Sequence, residues 1–334
     1  MTISEEQTAW FADTFAKLVT NIEQAVLGKR QVVQLALTCL LSDGHLLLED
    51  VPGTGKTMLA KALANTVQGT QTRIQFTPDL LPSDVTGVTI YNQQNGTFEF
   101  HKGPIFSTIV LADEINRASP KTQSALLEVM EEGRVTVDGI AYPVGPPFMV
   151  VATQNPIEQA GTYRLPEAQL DRFLMRTSIG YPDHDSTVAL LADAGNRNRS
   201  AGVRPLITSS AIGDMVLLAN DVHVDPAILA YVSRIAEESR RVREARLGIS
   251  VRGCLAYIRA AKTWAVAHGR SYVTPDDIKE LALPILAHRM LLTPEAEFGG
   301  VTAEQIVGRV IADIAPPSDR GASNGRVMLA EELR

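Results

Sequence analysis

Apolar positions along the chain follow two regimes that change near Tyr181-Pro182-Asp183. Before that point, short apolar runs recur between helical patterns. They are His45-Leu46-Leu47-Leu48, residues 73–76, Ile109-Val110-Leu111-Ala112, Phe148-Met149-Val150-Val151-Ala152-Thr153 and residues 175–179. Runs that are apolar at consecutive positions leave no polar face, so each predicts a strand buried on both sides. Strands alternating with helices predict an α/β core: a parallel sheet with helices on both faces. After the break only helical periodicity remains, over Ala211–Asn220, Ala227–Arg246, Val251–Ala267 and Pro275–Leu286. Thr274-Pro275-Asp276-Asp277 is a helix start, with Thr as cap, Pro in the first turn and acids at the positive dipole end. Ser4 and Gln7 predict a capping box at the N-terminal helix.

The reading divides the chain into an α/β core over residues 1–181, a small all-helical domain over 182–315 and a flexible tail from Pro316 to Arg334. Two β-prone insertions interrupt the core. Asp84–Phe100 turns at Asn92-Gln93-Gln94-Asn95-Gly96, and Gly133–Pro146 turns at Asp138-Gly139, a dipeptide that favours tight hairpins.

Chemistry enters where the first strand ends. Leu48-Glu49-Asp50-Val51-Pro52-Gly53-Thr54-Gly55-Lys56-Thr57 passes from strand through a Gly-rich loop, and Lys56-Thr57 opens a helical pattern over Met58 to Asn65. Glycines let backbone N–H groups turn toward phosphate oxygens, and the helix N-terminus adds partial positive charge. Lys56 can reach the β- and γ-phosphates and the Thr57 hydroxyl can ligate Mg²⁺. The strict spacing G-x-x-x-x-G-K-[ST] would place a glycine at position 50, where this chain has Asp50.

Two further strand ends carry polar groups. The run 109–112 ends in Asp113-Glu114, adjacent carboxylates able to hold a divalent metal and to activate water. Ligands gather at the C-terminal ends of strands in open α/β sheets. The run 148–153 leads into Gln154-Asn155-Pro156, where an amide could contact a phosphate or the attacking water, although Asn before Pro also favours a turn by itself.

Composition narrows the class. A length of 334 residues suggests about two domains. Hydrophobic residues make up 45% and no stretch approaches the ~18 apolar residues of a membrane span. The acidic start Ser4-Glu5-Glu6 is unlike a secretory leader, and a cytoplasmic setting is expected. The net charge of −7 argues against general nucleic-acid binding. The basic cluster Arg240–Arg246 reads as a solvated helix face or a subunit interface. Cys39 and Cys254 lie in apolar helical patterns and read as buried thiols. The six histidines show no metal-ligand spacing.

With these motifs in order, the chain resembles the MoxR group of AAA+ ATPases. The resemblance rests on Leu48–Thr57, Gln75–Asp84, Leu111–Ala118, Lys121–Glu128, Ala152–Pro156 and Leu165–Phe173, which together span most of residues 25–180. It implies an AAA+ P-loop core followed by a helical lid. It implies ATP and Mg²⁺ as cofactors, with Pro52, Gly53, Thr54, Gly55, Lys56, Thr57 and Met58 around the nucleotide and Gly28 on the adenine side. Thr57 and Asp113 would hold the metal, Glu114 would be the general base and Asn155 the first sensor. Arg172 resembles the finger donated to a neighbour's ATP, and Arg252 the second sensor at a helix start in the lid. Arg164 stands where the resemblance would place a proline.

The resemblance also implies a ring, a hexamer, acting on a protein client with a von Willebrand factor A-domain partner, the two insertions facing its pore. Apolar Ile140 and aromatic Tyr142 beside the Asp138-Gly139 turn would then grip the client. Two alternatives stand beside this reading: a nucleotide-dependent switch with incidental turnover, and a DNA-dependent ATPase, since the MCM helicases share the first insertion.

Overall fold

The computed structural model describes residues 3–155, 162–192 and 199–317. The chain opens with α1 (Glu5–Glu23), whose Ser4 cap accepts from the Gln7 backbone and completes the expected capping box. Then follow α2 (Arg30–Leu41), β1 (Leu46–Glu49), α3 (Lys56–Thr66), β2 (Gln71–Gln75), α4 (Pro82–Thr86), β3 (Gly87–Asn92), β4 (Thr97–Lys102), β5 (Ile109–Asp113) and α5 (Pro120–Glu132). The core closes with β6 (Arg134–Val137), β7 (Ile140–Pro143), β8 (Met149–Gln154), α6 (Glu167–Leu170) and β9 (Met175–Thr177).

The main sheet has the order β2-β5-β8-β1-β9, and every pairing in it is parallel. All strands therefore begin at one edge and end at the other. Successive residues turn to opposite faces, so the apolar runs feed two cores. Leu46, Leu48, Ile109, Leu111, Met149 and Val151 join one cluster, and Leu47, Val110, Ala112, Val150 and Ala152 the other.

Beyond residue 181 come α7 (His184–Ala192), α8 (Ser209–Asn220), α9 (Pro226–Arg241), β10 (Ala245–Leu247), α10 (Val251–Ala267), α11 (Pro275–Leu286), β11 (Leu291–Leu292), α12 (Pro294–Phe298) and α13 (Ala303–Asp313). Thr274 caps α11 as expected, with Asp277 completing a capping box. The purely helical expectation fails locally. The predicted helix 227–246 stops at Arg241, and residues 245–247 pair antiparallel with Leu291–Leu292. Val242, in extended backbone (ψ 127°), ends the helix, and Arg240 Nε is held by Ile249 O at 2.9 Å. The tail read from Pro316 onward falls almost wholly on residues 318–334, outside the described residues.

The two regimes share one core. The larger apolar cluster runs from α1 and α2 across one sheet face into α8–α11 and α13 without a break. Cys39 is fully buried in it and Cys254 is half-buried, and neither forms a disulfide. Among the described residues no helix is long and apolar enough to cross a membrane.

Both hairpins form, and they lean on each other. Tyr142 of β7 stacks on Phe100 of β4, centroids 4.2 Å apart. This corrects the expectation that Tyr142 is a free working tip: it is half-buried between the hairpins, whereas Ile140 is exposed. Tyr142→Ala should therefore cost about 1 kcal/mol and lower Tm, because a half-buried aromatic pair is lost. Ile140→Asp should leave Tm close to wild type. Equal Tm values for both variants would contradict the stacking role.

Two buried histidines make stability depend on pH. His45, just before β1, donates from Nε2 to Met130 O at 2.9 Å and accepts at Nδ1 from Val150 N at 3.0 Å. That pattern fixes a neutral ring, and burial pulls its pKa below the ordinary 6.5. His288 is pulled down further, by burial and then by the adjacent Arg289 guanidinium. In the unfolded chain both rings take a proton as pH falls through 6.5, while in the folded chain they resist it. Their contribution to stability is thus fully present above that pH and is lost as pH falls below it. Tm should hold from about pH 8 to 7 and fall toward pH 5, with a shallower fall in His45→Gln. An unchanged slope in that variant would remove His45 from the account.

Candidate functional site

The loop after β1 is built for an anion. Gly53 and Gly55 adopt φ of +87° and +97°, in the left-handed region that favours glycine, and a Cβ at either would point into open space. Their backbone leads straight into α3, which Lys56 and Thr57 open as expected. Lys56 Nζ donates to Asp50 O at 3.1 Å and Val51 O at 3.2 Å, folding the side chain back over its own loop. Thr54 Oγ1 donates to Val51 O at 3.3 Å and Met58 packs against the main core.

Asp50, the departure from the strict spacing, has a structural task. Its carboxylate is buried and accepts from Ile179 N and, at 3.1 Å, from Gly180 N. Those two groups follow β9, where the predicted strand 175–179 has already ended at Thr177. A glycine here would leave both donors without this acceptor. Asp50 thus pins the phosphate loop to the segment that leads into the helical region.

The carboxylates lie at the same edge, on the strand two places away. Asp113 accepts from Thr153 Oγ1 at 2.6 Å and from Arg73 Nη2 at 2.5 Å. Glu114 stands in left-handed backbone (φ 57°, ψ 50°), and its N–H donates to Thr153 Oγ1 at 2.9 Å. Its side chain accepts from Gln75 Nε2 at 2.9 Å and pairs with Arg117 at 3.4 Å. Asn155 follows β8 between them and lines a cleft of about 590 Å³ with Asn116, Gln154 and Arg164. Arg164, for which the sequence offered no role, is thereby placed beside Asn155.

The donor set fits the implied groups. Open positive-φ glycines, a lysine and a helix N-terminus suit a triphosphate. A threonine hydroxyl and carboxylates are the hard oxygen ligands that Mg²⁺ prefers.

The two arginine candidates lie elsewhere. Arg172, after α6, and Arg252, in the first turn of α10, line a pocket of about 490 Å³ together with Asp43, Gly44, His45 and Phe148. Those last residues precede β1 and β8, so the pocket opens at the N-terminal edge of the sheet, opposite the phosphate loop. Arg172 pairs with Glu131 at 3.1 Å, and Arg252 contacts the same carboxylate. Gly28 lies against the segment that follows β9, where Gly180 N donates to Asp50 of the phosphate loop. It takes φ +70°, and a Cβ would meet Ser186 Oγ at 2.3 Å, while Lys29 Nζ donates to Tyr181 O at 2.6 Å. Close packing against residues 181–186 is reason enough for that glycine.

Comparison with known proteins agrees with the geometry. Residues 45–175 match the ATPase family associated with various cellular activities (AAA), and residues 237–310 match the AAA lid domain. The chain is 38% identical over 313 residues to chaperone MoxR1 of Mycobacterium tuberculosis, covering 91% of this chain and 82% of that protein. It is 32% identical over 320 residues to protein MoxR of Paracoccus denitrificans, covering 86% and 91%. The chain belongs to the MoxR family of AAA+ ATPases. It is also 48% identical over 306 residues to the uncharacterised protein YeaC of Bacillus subtilis, covering 92% and 96%. A crystal structure from Cytophaga hutchinsonii, provisionally described as an ATPase, superposes with a TM-score of 0.88 at 37% identity, covering 94% of this chain and 98% of that one.

Sequence reasoning missed several residues of this MoxR site. Arg73 was read only as strand and Gln75 only as strand and as the start of a matching segment, yet both reach the carboxylates from β2. Polar residues two apart in a strand share a face, which was a usable signal. Thr153, Glu131, Asp171 and Arg289 act through tertiary contacts that no spacing announces. Arg289, almost fully buried, donates to Asp171 Oδ1 at 2.8 Å and Phe173 O at 2.7 Å, gripping Arg172 from both sides.

Restoring the strict motif should harm this protein. Asp50→Gly removes a buried acceptor from two backbone donors, at about 1–3 kcal/mol. Tm should drop by several degrees, and nucleotide affinity should fall with it because the loop loses its anchor. Unchanged Tm would show that water replaces the carboxylate without loss.

Proposed function

We propose that this chain hydrolyses ATP to ADP and phosphate with Mg²⁺, in a ring, a hexamer, that remodels or matures protein complexes in the cytoplasm. The observation that carries the ring is the separation of the charges. Lys56, Asp113 and Glu114 stand at the C-terminal edge of a parallel sheet, and Arg172 and Arg252 at its N-terminal edge. Even a strand of four residues spans about 13 Å. A subunit's arginines therefore suit a neighbour's nucleotide better than its own.

Lys56 and the α3 N-terminus bind the phosphates. Thr57 and Asp113 hold Mg²⁺, which when bound neutralises phosphate charge. Glu114 takes the proton of the attacking water, whose oxygen bonds the γ-phosphorus as the bridge to ADP breaks. Asn155 orients that water. Arg172 and Arg252 of the next subunit stabilise the charge that develops. Remodelling is supported by the name of the MoxR1 relative and by apolar side chains exposed on β3 and β4, with Phe98 74% exposed. A von Willebrand factor A-domain partner rests on the family resemblance, and the absence of nucleic acid on the charge of −7.

Lys56→Ala should abolish tight ATP binding. Glu114→Gln should bind ATP and lose turnover; wild-type turnover in that variant would sink the base assignment. Arg172→Ala should retain binding by the single subunit and lose about 10³-fold or more in rate. Mixing Arg172→Ala with Lys56→Ala subunits should restore part of the activity, because some interfaces then join an intact loop to an intact arginine. Mixed assembly without recovery would count against action between subunits. DNA should not stimulate turnover.

A further inference from the structure

The pocket at the N-terminal edge holds an arginine pair and one carboxylate between them. Arg172 comes from the core and Arg252 from the helical region, 80 residues apart in sequence, yet both end on Glu131. Like charges brought this close repel, and only an anion between them holds the arrangement. Two other acids lining this pocket are committed elsewhere. Asp171 is bound by Arg289 and by Ser250 Oγ at 3.1 Å, and Glu132 pairs with Arg134 at 3.1 Å. Glu131 is the carboxylate that contacts both guanidiniums. It sits in the last turn of α5 with its side chain 37% exposed, so it can swing to water without disturbing the core.

We propose that Glu131 is an internal competitor for the neighbour's γ-phosphate. Its carboxylate occupies the place of the phosphate and holds Arg172 and Arg252 together while no nucleotide faces them. An incoming phosphate, with more charge and more acceptor oxygens, displaces it. The pair is pre-gathered but not free, so subunits engage one another only when the neighbour carries ATP. This rests on the reading that the two arginines act between subunits.

Glu131→Gln tests it, because the amide keeps the shape and loses the charge. The apparent KM for ATP should fall roughly three- to tenfold, the scale of one to two partly exposed ion pairs, with kcat undiminished. A merely structural residue would lower kcat or Tm and would not lower KM. Sedimentation in the Glu114→Gln background reads assembly without turnover. There, adding Glu131→Gln should shift the ATP midpoint for self-association down by the same factor. Glu131→Asp, which keeps the charge on a shorter arm, should shift it less.

An unchanged or raised midpoint, or a reduced kcat at unchanged KM, overturns the proposal. Arg172→Ala in the same background separates the two readings. If it weakens ATP-dependent association while Glu131→Gln fails to strengthen it, only the competitor role is lost. If Arg172→Ala has no effect, or ATP drives no association at all, the reading between subunits fails and this inference falls with it.

Discussion

Parallel strand direction is the constraint from which the rest of this structure follows. Five strands running one way give the sheet a phosphate edge and an arginine edge. The turn after β1 must lie at the first, because backbone N–H groups and the α3 dipole converge only where a strand ends and a helix begins. The segment before β9 must lie at the second, because it feeds a strand start. No local rearrangement of Arg172 can carry it past the sheet to Lys56. On the proposed reading, whatever these groups do together they do across an interface between copies.

The helical region is bound into this geometry rather than hung from it. One apolar cluster joins α1, α2 and a sheet face to α8–α11 and α13. Charge reinforces the union at both edges. At the arginine edge, Arg289 is buried against Asp171 and the carbonyls of Phe173 and Leu174. At the phosphate edge, Arg176 bridges Glu49, at 3.2 Å, to Glu304 of α13, at 2.5 Å. Breaking a buried pair by removing one partner typically costs about 3–5 kcal/mol, so the Asp171–Arg289 contact is a firm joint.

Much of this was legible in the chain. The five strands, the phosphate loop, the acidic strand end and the helix starts at Ser4 and Thr274 follow from periodicity and local capping, which act over a few residues. The misses share a different character. The helix through Arg246 continued on pattern alone, but a strand pairing with Leu291–Leu292 from 45 residues onward won. Tyr142 looked free because the Phe100 ring it stacks on lies in another hairpin. Asp50 looked like a flaw in a motif because its partners, Ile179 and Gly180, are about 130 residues away. Sequence reading sees elements and caps; side-chain partners across the fold decide which polar residues have work.

These long-range partners also limit how the protein can move. Arg172 follows Asp171 directly, and Asp171 is held by Arg289 and by Ser250, the cap of the helix that carries Arg252. The arginine pair, the start of α10 and the end of α11 therefore form one body. On the other edge, Asp50 ties the phosphate loop to Ile179 and Gly180, just before the helical region begins. A shift of the helical region would therefore carry both arginines with it. Packed cores resist continuous deformation and move between discrete arrangements as rigid pieces. Asp50 at one edge and the buried Asp171–Arg289 pair at the other thus tie both edges of the sheet to the helical region.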